Sequence, residues 1–524
     1  MSRRADEIGA GLEAARPAVP LHPGERIHVV GAGGAAAAAA ALHARHAGAS
    51  VTGCDKGGPS QYTSPLQRAG IHLAWEHAPE HIVDGDRVRV DRLAVTKALT
   101  AVAPDHPELL AAGRHGISTT SVQQLIADAA ATQNRSLIAL AGTHGKSTTT
   151  GWIVQMLVED GLDPSAFVGA LLPALLSGAP GASTVRFGSG RHFIVEADEY
   201  AGNFDAYRPA VGGLTNADWD HPDVFKDRAA VVAAFVAWVR GFDGGGEAPV
   251  LVANVGDAGA RDVVAGLRDW PGRLLVACVV EAGEDAAAVC GELERTWATA
   301  AGPARAVVAR RGDAAGEGSL DILGLDPGAA VTAHLALPGR HNAENGLVAA
   351  AVALAAGASP RAIVRGLGSY AGVGRRLELK GDLSGVVVLD DYGHHPTAMA
   401  ATFATVRELH PGRRLWAVYE PLTYHRTAAM LPDFAAVLGE ADRVVIAEIH
   451  AGRDPDTTIT SAQDLADAVA RRGTPASAPG TVEETADWLT ARVQPGDVVL
   501  VMGGGRSYVI AERLLAFLRA RAGG

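Results

Sequence analysis

At 524 residues the chain exceeds what one hydrophobic core fills, and about 150 residues per domain predicts three or four domains. Its 48% hydrophobic and 20% charged content is that of a globular chain, and a net charge of −12 argues against a general nucleic-acid binder, whose affinity comes from Lys and Arg neutralising phosphates. No run of eighteen apolar residues appears and the first residues do not read as a signal peptide, so a cytoplasmic protein without membrane insertion is expected.

Residues 1–24 mix charges and prolines without a period and read as a flexible extension. Arg26–Val30 then reads as a strand, followed by the turn Gly31-Ala32-Gly33-Gly34, an alanine-rich helix and a second strand, Ser50–Cys54, ending at Asp55. This is the outline of a nucleotide-binding βαβ unit, although Ala36 stands at the third glycine position. From Leu137 to about Tyr370, strands at 193–195, 211–214 and 250–252 alternate with helical stretches. The Ala-, Gly- and Arg-rich interruption near 300–330 reads as a surface insertion. A third alternating unit begins at Gly385, with strands at 386–389, 415–418, 443–447 and 498–501. Three consecutive α/β modules with mostly parallel sheets are therefore expected. The three cysteines, Cys54, Cys278 and Cys290, form neither a disulfide framework nor a zinc spacing, and Cys54 reads as a buried thiol.

The most informative segment is 138–150, an apolar run followed by Gly142-Thr143-His144-Gly145-Lys146-Ser147-Thr148 and a helix expected around Gly151–Val154. A strand, a glycine turn and a helix start point backbone N–H groups and a positive helix terminus at a polyphosphate. Lys146 reaches the terminal phosphates in such a loop, and the Ser147 hydroxyl takes a place on Mg²⁺. The loop is shorter than the full pattern, because Leu140 stands five positions before Gly145. Only four other lysines occur in the chain, at 56, 97, 226 and 380. ATP or GTP is the expected ligand.

Further candidates follow apolar strands, where ligands bind in open α/β sheets. They are Glu196-Ala197-Asp198-Glu199, Thr215-Asn216-Ala217-Asp218-Trp219-Asp220-His221, and Asp390-Asp391-Tyr392-Gly393-His394-His395. Asn342 and Asn345 precede a long apolar helix expected over 346–356, where amides cap a helix or meet an adenine edge.

In this order, Gly-Thr-His-Gly-Lys-Ser, Glu-Ala-Asp-Glu, Asn-x-x-x-Asp-His, Gly-Arg-His-Asn-x-x-Asn and Asp-Asp-Tyr-Gly-His-His-Pro resemble the Mur ligase family of ATP-dependent amide-bond ligases. The resemblance runs from about 25 to 520 and includes Pro104-Asp105-His106-Pro107-Glu108. It implies a Rossmann-like N-terminal UDP-sugar-binding domain over 25–136, a central P-loop ATPase α/β domain over 137–370 and a Rossmann-like C-terminal domain over 371–524. It implies phosphorylation of a carboxylate by ATP with Mg²⁺, then attack of an amine on the acyl phosphate. The nearest branch adds L-alanine to UDP-N-acetylmuramate, as a monomer or weak homodimer.

By the same resemblance, Lys146, Glu196, His221 and Asp391 are catalytic, and Ser147, Glu196 and His221 hold the metal. His341, Asn342 and Asn345 would bind adenine and its neighbours, while Arg375, Arg376 and Asp391 would close over ATP. Tyr392, His394 and Arg426, with Arg376, would lie near the substrates, and Gly31, Gly33 and Gly34 near the UDP diphosphate. Glu420 and Leu422 depart from the Gln and His typical of alanine-adding enzymes, which leaves another amino acid or a recycled peptide open as the acceptor. A nucleotide-binding homologue without activity, and a dinucleotide oxidoreductase suggested by Gly31–Gly34 and Asp55, are the alternatives of other classes.

Overall fold

The computed structural model describes residues 5–312, 318–326, 328–452, 454 and 456–522. Three α/β sheets carry the fold. The first is parallel, in the order His72–Ala74, Ser50–Cys54, Arg26–Val30, Arg92–Val95, Ser118–Ser121. The helix Ala35–His46 packs beside it, with every alanine from Ala37 to Ala41 buried. A run of alanines gives a face smooth enough for close helix packing and costs little side-chain entropy.

The second sheet has ten strands, in the order Ser183–Arg186, Ser165–Leu172, His192–Glu196, Ser136–Ala141, Val211–Leu214, Val250–Asn254, Arg273–Val280, Arg305–Arg311, Ser319–Asp326, Ala329–His334. Its middle strands are parallel and buried on both faces, as their near-continuous apolar runs require. One hydrophobic core joins the first two sheets, from Ala37–Leu42 through Leu125 and Phe193 to Trp238. Together they form one compact unit, 1–219, 224–338 and 342–372.

The second unit, 220–223, 339–341 and 373–524, contains a six-stranded sheet. Its order is Glu378–Leu383, Val386–Asp391, Asp497–Gly503, Arg414–Glu420, Arg443–Ala447, Ala476–Gly480. All neighbours pair in parallel except the first two.

Four expectations need correction. The stretch at 300–330 is no surface insertion: Arg305–Arg311 and Ser319–Asp326 extend the central sheet and bury Ala306, Val307, Val308 and Ile322 (313–317 and 327 lie outside the described residues). The Ala, Gly and Arg residues around Val307, Val308, Leu320 and Ile322 masked that strand signal. Parts of the N-terminal extension pack on the first unit: Ile8 and Leu21 are buried and the Arg16 guanidinium is forked onto Asp128 at 3.0 and 2.8 Å, while residues 1–4 lie outside the described residues. The helix after the glycine turn begins at Lys146, not near Gly151, and the later one at Arg340, not Gly346. Asp390 and Asp391 are the last two residues of their strand and do not follow it.

Candidate active site

In the first unit, three adjacent parallel strands end together: Ser136–Ala141 at the glycine turn, His192–Glu196 at its own last residue, and Val211–Leu214 at Thr215. Gly142 has φ +141° and Gly145 φ +77°, conformations a side chain resists. A Cβ on Gly142 would collide with the Thr215 hydroxyl and press the Asn216 backbone, and one on Gly145 would collide with the Asn345 amide. The turn is clamped from the next loop. His144 N donates to Asn216 Oδ1 at 2.8 Å, Thr215 Oγ1 donates to the His144 carbonyl at 2.7 Å, and Asp218 N donates to Thr143 Oγ1 at 2.9 Å.

Lys146 opens the helix Lys146–Glu159, directly after Gly145. Its ammonium donates to the Gly142 and Thr143 carbonyls at 2.6 and 3.2 Å and to Glu199 at 3.1 Å. Burial pulls its pKa down, but the carboxylates of Glu199, Asp198 and Glu196 outweigh burial and raise it, so the charge is held. Ser147 Oγ donates to Glu196 Oε1 at 3.0 Å, and the other Glu196 oxygen accepts from Gly169 N at 2.7 Å. Thr148 is buried in the first helical turn.

Asn342 and Asn345 lie inside the helix Arg340–Ala355, on successive turns. Asn342 Nδ2 donates to the Pro338 carbonyl at 2.7 Å, the helix-start role that an amide can play. Asn345 sits against the Gly145 turn. In the first module Gly31 has φ +80°, and Gly33 N donates to Asp55 Oδ2 at 2.7 Å, while Gly34 precedes the alanine helix.

His221, His341, Arg375, Arg376, Asp391, Tyr392, His394 and Arg426 fall in the second unit. Arg426 is 2% exposed, and its Nε donates to Asp220 Oδ1 at 2.8 Å and its Nη2 to His221 Nδ1 at 3.3 Å. Its Nη1 is buried without a hydrogen-bond partner. Burial disfavours the Asp220 charge, yet Arg426 and the nearby imidazoles His221, His395 and His394 hold that carboxyl well below the usual range. His394 is pushed well below the usual imidazole value by burial and by Arg426, and its Nδ1 lies 3.0 Å from the Tyr392 carbonyl. Burial likewise lowers His341, against the opposing pull of Asp391.

Asp391 accepts from Leu377 N at 2.7 Å and Gly393 N at 2.6 Å, fixing the turns on either side. The Arg376 guanidinium stacks over the Tyr392 ring, 4.9 Å from its centroid. Arg375, expected to close over ATP, is a buried residue of the second unit. Its guanidinium bonds Asp390 at 3.2 Å, the Gly503 carbonyl at 2.7 Å and Ser507 at 2.8 Å, tying strand end to turn. Backbone strain gathers here too: His221, Arg375, Leu377 and Thr423 all have φ between +50° and +66°.

Glu199 beneath Lys146 and Asp220 beneath Arg426 were missed as functional positions, although both stand within quoted motifs. A buried cation needs a buried acid, and that requirement was the available signal. Glu420 is 3% exposed and pushed up by burial, with Gly505 held close against it. Leu422 bridges to His450.

The chain matches the Mur ligase family catalytic domain over 26–134, the Mur ligase middle domain over 140–353 and the Mur ligase glutamate ligase domain over 375–505. It is 34% identical over 508 residues to a UDP-N-acetylmuramate–L-alanine ligase of Kineococcus radiotolerans, covering 95% of this chain and 97% of that protein. It is 33% identical over 494 residues to the ligase of the same name from Nitratidesulfovibrio vulgaris, covering 94% and 98%. Among solved structures, the UDP-N-acetylmuramate–alanine ligase of Thermotoga maritima superposes with a TM-score of 0.72 at 20% identity, covering 95% of this chain and 99% of that one. A murein peptide ligase from Psychrobacter arcticus gives 0.69 at 23% identity, covering 94% and 99%. Both neighbours share the three-module α/β fold. The chain belongs to the Mur ligase family.

Proposed function

We propose that this protein is an ATP-dependent ligase that joins L-alanine to the carboxylate of UDP-N-acetylmuramate, in the cytoplasmic synthesis of peptidoglycan precursors. The observation that carries the ATP-dependent step is the turn Gly142–Gly145, with Lys146 held charged and Ser147 beside Glu196 at the same strand ends. Alanine as acceptor is supported by the 33–34% identity to L-alanine ligases over nearly the whole chain.

The chemistry follows from the substrates. A carboxylate is a poor electrophile, so its oxygen first takes the γ-phosphoryl group of ATP and releases ADP. The amine then attacks the acyl carbon, phosphate leaves, and an amide remains. Phosphoryl transfer asks the protein for positioning and charge stabilisation, which Lys146 and the turn's N–H groups supply. The Ser147 hydroxyl and the Glu196 carboxylate are hard oxygen donors side by side, and they fit Mg²⁺; the resemblance adds His221 for a second ion. When bound, Mg²⁺ neutralises charge on the phosphate oxygens. Arg426, with Nε and Nη2 engaged by Asp220 and His221, leaves Nη1 as a charged donor suited to one oxygen of a substrate carboxylate. His394, kept neutral by burial and by Arg426 and bonded through Nδ1, presents an uncharged imidazole at this end of the module.

The test is mass spectrometry of reactions containing ATP, Mg²⁺, UDP-N-acetylmuramic acid and equal concentrations of L-Ala, Gly, L-Ser and an L-Ala-initiated tripeptide. An L-Ala adduct ahead of the others is expected. Glu420 and Leu422 favour the one competing reading, in which the tripeptide adduct dominates and the same mechanism serves a recycled peptide. ATP binding without any adduct would overturn both.

A further inference from the structure

Outside the nucleotide and acceptor residues, the first unit buries a second group of polar side chains. His28 lies on the first strand, Cys54 ends the neighbouring strand, His81 ends the short turn Pro79–His81, and Glu108 is the second residue of the helix Pro107–His115. One donor atom from each lies within 4.8 Å of every other. Glu108 and Cys54 are fully buried and His28 is 2% exposed. Their surroundings are apolar, including Val30, Ile82, Val95 and Leu109.

These groups are not explained by their mutual hydrogen bonds. Glu108 Oε1 accepts from His81 Nδ1 at 2.8 Å, from Ala78 N at 3.1 Å and from the Cys54 thiol at 3.3 Å, and the thiol lies 3.5 Å from Oε2. Among the described residues no lysine or arginine pairs with this carboxylate. A carboxylate withdrawn from water without a cation is costly. His28 Nδ1 is 2.8 Å from Thr52 Oγ1, which fixes the ring and directs Nε2 inward. That Nε2 is buried, has no hydrogen-bond partner and stands 3.7 Å from Glu108 Oε2. A buried imidazole nitrogen without a hydrogen-bond partner, facing a buried carboxylate at 3.7 Å, leaves both groups able to take a cation.

We propose that His28, Cys54, His81 and Glu108 bind one Zn²⁺ ion as a closed structural site in the N-terminal module. Thiolate, imidazole and carboxylate are the donor types zinc takes. In a tetrahedral zinc site with bonds of about 2.0–2.3 Å, neighbouring donors stand about 3.3–3.8 Å apart. Cys54 Sγ to Glu108 Oε1 at 3.3 Å and His28 Nε2 to Glu108 Oε2 at 3.7 Å have that size, while His81 Nδ1 to Glu108 Oε1 at 2.8 Å lengthens when a metal replaces their hydrogen bond. Binding releases the Cys54 thiol proton to solvent and leaves thiolate on the metal. The Thr52 hydroxyl is the outer-shell partner that orients a histidine ligand. His77, with Nδ1 at 3.2 Å from Cys54 Sγ, forms a further layer with His106, whose ring packs edge-on at 4.6 Å. Four protein ligands and near-complete burial make the site structural, without an open position for chemistry. It would fasten the strand end at Cys54, whose next residue, Asp55, holds the Gly33 turn at 2.7 Å.

The experiment measures metal in the untagged full-length protein, expressed with zinc in the medium and desalted. Elemental analysis should give one zinc per chain, falling at least fivefold in Cys54→Ser and His28→Gln. Because those variants can fail to fold, the wild-type protein is also stripped and titrated with Co²⁺. A thiolate-to-cobalt charge-transfer band saturating at one equivalent, and displaced by zinc, is expected. Background zinc together with no cobalt band overturns the proposal. So does zinc retained in full by folded Cys54→Ser, which would place it elsewhere.

Discussion

A guanidinium withdrawn from water is stable only beside an answering carboxylate, and Asp220 gives Arg426 that answer at 2.8 Å. Arg426→Ala would leave the Asp220 charge buried and unpaired. Loss of about 3–5 kcal/mol of stability is expected, read as a lower denaturant midpoint. Restored stability in the double variant Asp220→Asn, Arg426→Met would identify the unpaired charge as the cause. At the catalytic end, Lys146→Ala should lower the rate of ligation by at least about 10²–10³-fold, the usual scale for removing one electrostatic donor. Circular dichroism should show the fold retained, with a lower denaturant midpoint because the variant removes the cation that Glu199 answers. Ordinary turnover in this variant would remove Lys146 from the phosphate site.

At the scale of elements, the helix Ala35–His46 carries a histidine into the apolar interior. His43 is fully buried between Phe187 and Phe193, its Nε2 lies 3.0 Å from the Ala166 carbonyl, and burial lowers its pKa to about 3. The Ala166 bond opposes that shift, while His46 and Arg135 add to it. The unfolded chain takes up a proton near pH 6.5, and the folded chain refuses it until about pH 3. Stability from this residue is therefore complete above pH 6.5 and declines as pH falls towards 3, by up to about 1.4 kcal/mol per pH unit. His43→Gln should flatten the denaturant midpoint against pH between 6 and 4; an unaltered slope would mean His43 is protonated in the fold.

The glycine turn is the second element under constraint. Gly142→Ala forces a side chain to φ +141° and into Thr215 and the Asn216 backbone. A cost of order 1–3 kcal/mol is expected, together with weakened nucleotide binding, measured by thermal melting and calorimetry.

For the whole molecule, ligand linkage ties the phosphate site to global stability. ATP with Mg²⁺ at a hundredfold its Kd should stabilise the protein by about 2.7 kcal/mol and raise its melting temperature. The shift should vanish in Lys146→Ala and shrink when EDTA removes the metal. An undiminished shift in that variant would place ATP away from the Gly142–Ser147 turn. No helix among the described residues is long and apolar enough to cross a membrane.

Much of the architecture was legible because its signals are local. The strand Ser136–Ala141, the glycine turn and the helix Lys146–Glu159 follow one another without a gap, so neighbouring side chains alone point to the proposed phosphate loop. Strands at Arg26–Val30, Ser50–Cys54 and Val211–Leu214 fall where their apolar runs place them. The strands at Arg305–Arg311 and Ser319–Asp326 were readable from Val307, Val308, Leu320 and Ile322, but the Ala-, Gly- and Arg-rich residues around them drew the reading towards a loop. Arg375 shows a different limit at a site. Its position in the sequence suggests a role toward ATP, but its partners Asp390, Gly503 and Ser507 could not be read from its neighbours, because sheet pairing brings them to it.

The sequence by itself determined the α/β modules, their order and the phosphate loop, all of which follow from short-range periodicity and backbone chemistry. Tertiary structure alone decided the partners of each buried charge: Glu199 for Lys146, Asp220 for Arg426, and the convergence of His28, Cys54, His81 and Glu108. Such groups are brought together by sheet order and helix packing, and the cost of burying an unanswered charge acts between neighbours in space, wherever they stand along the chain.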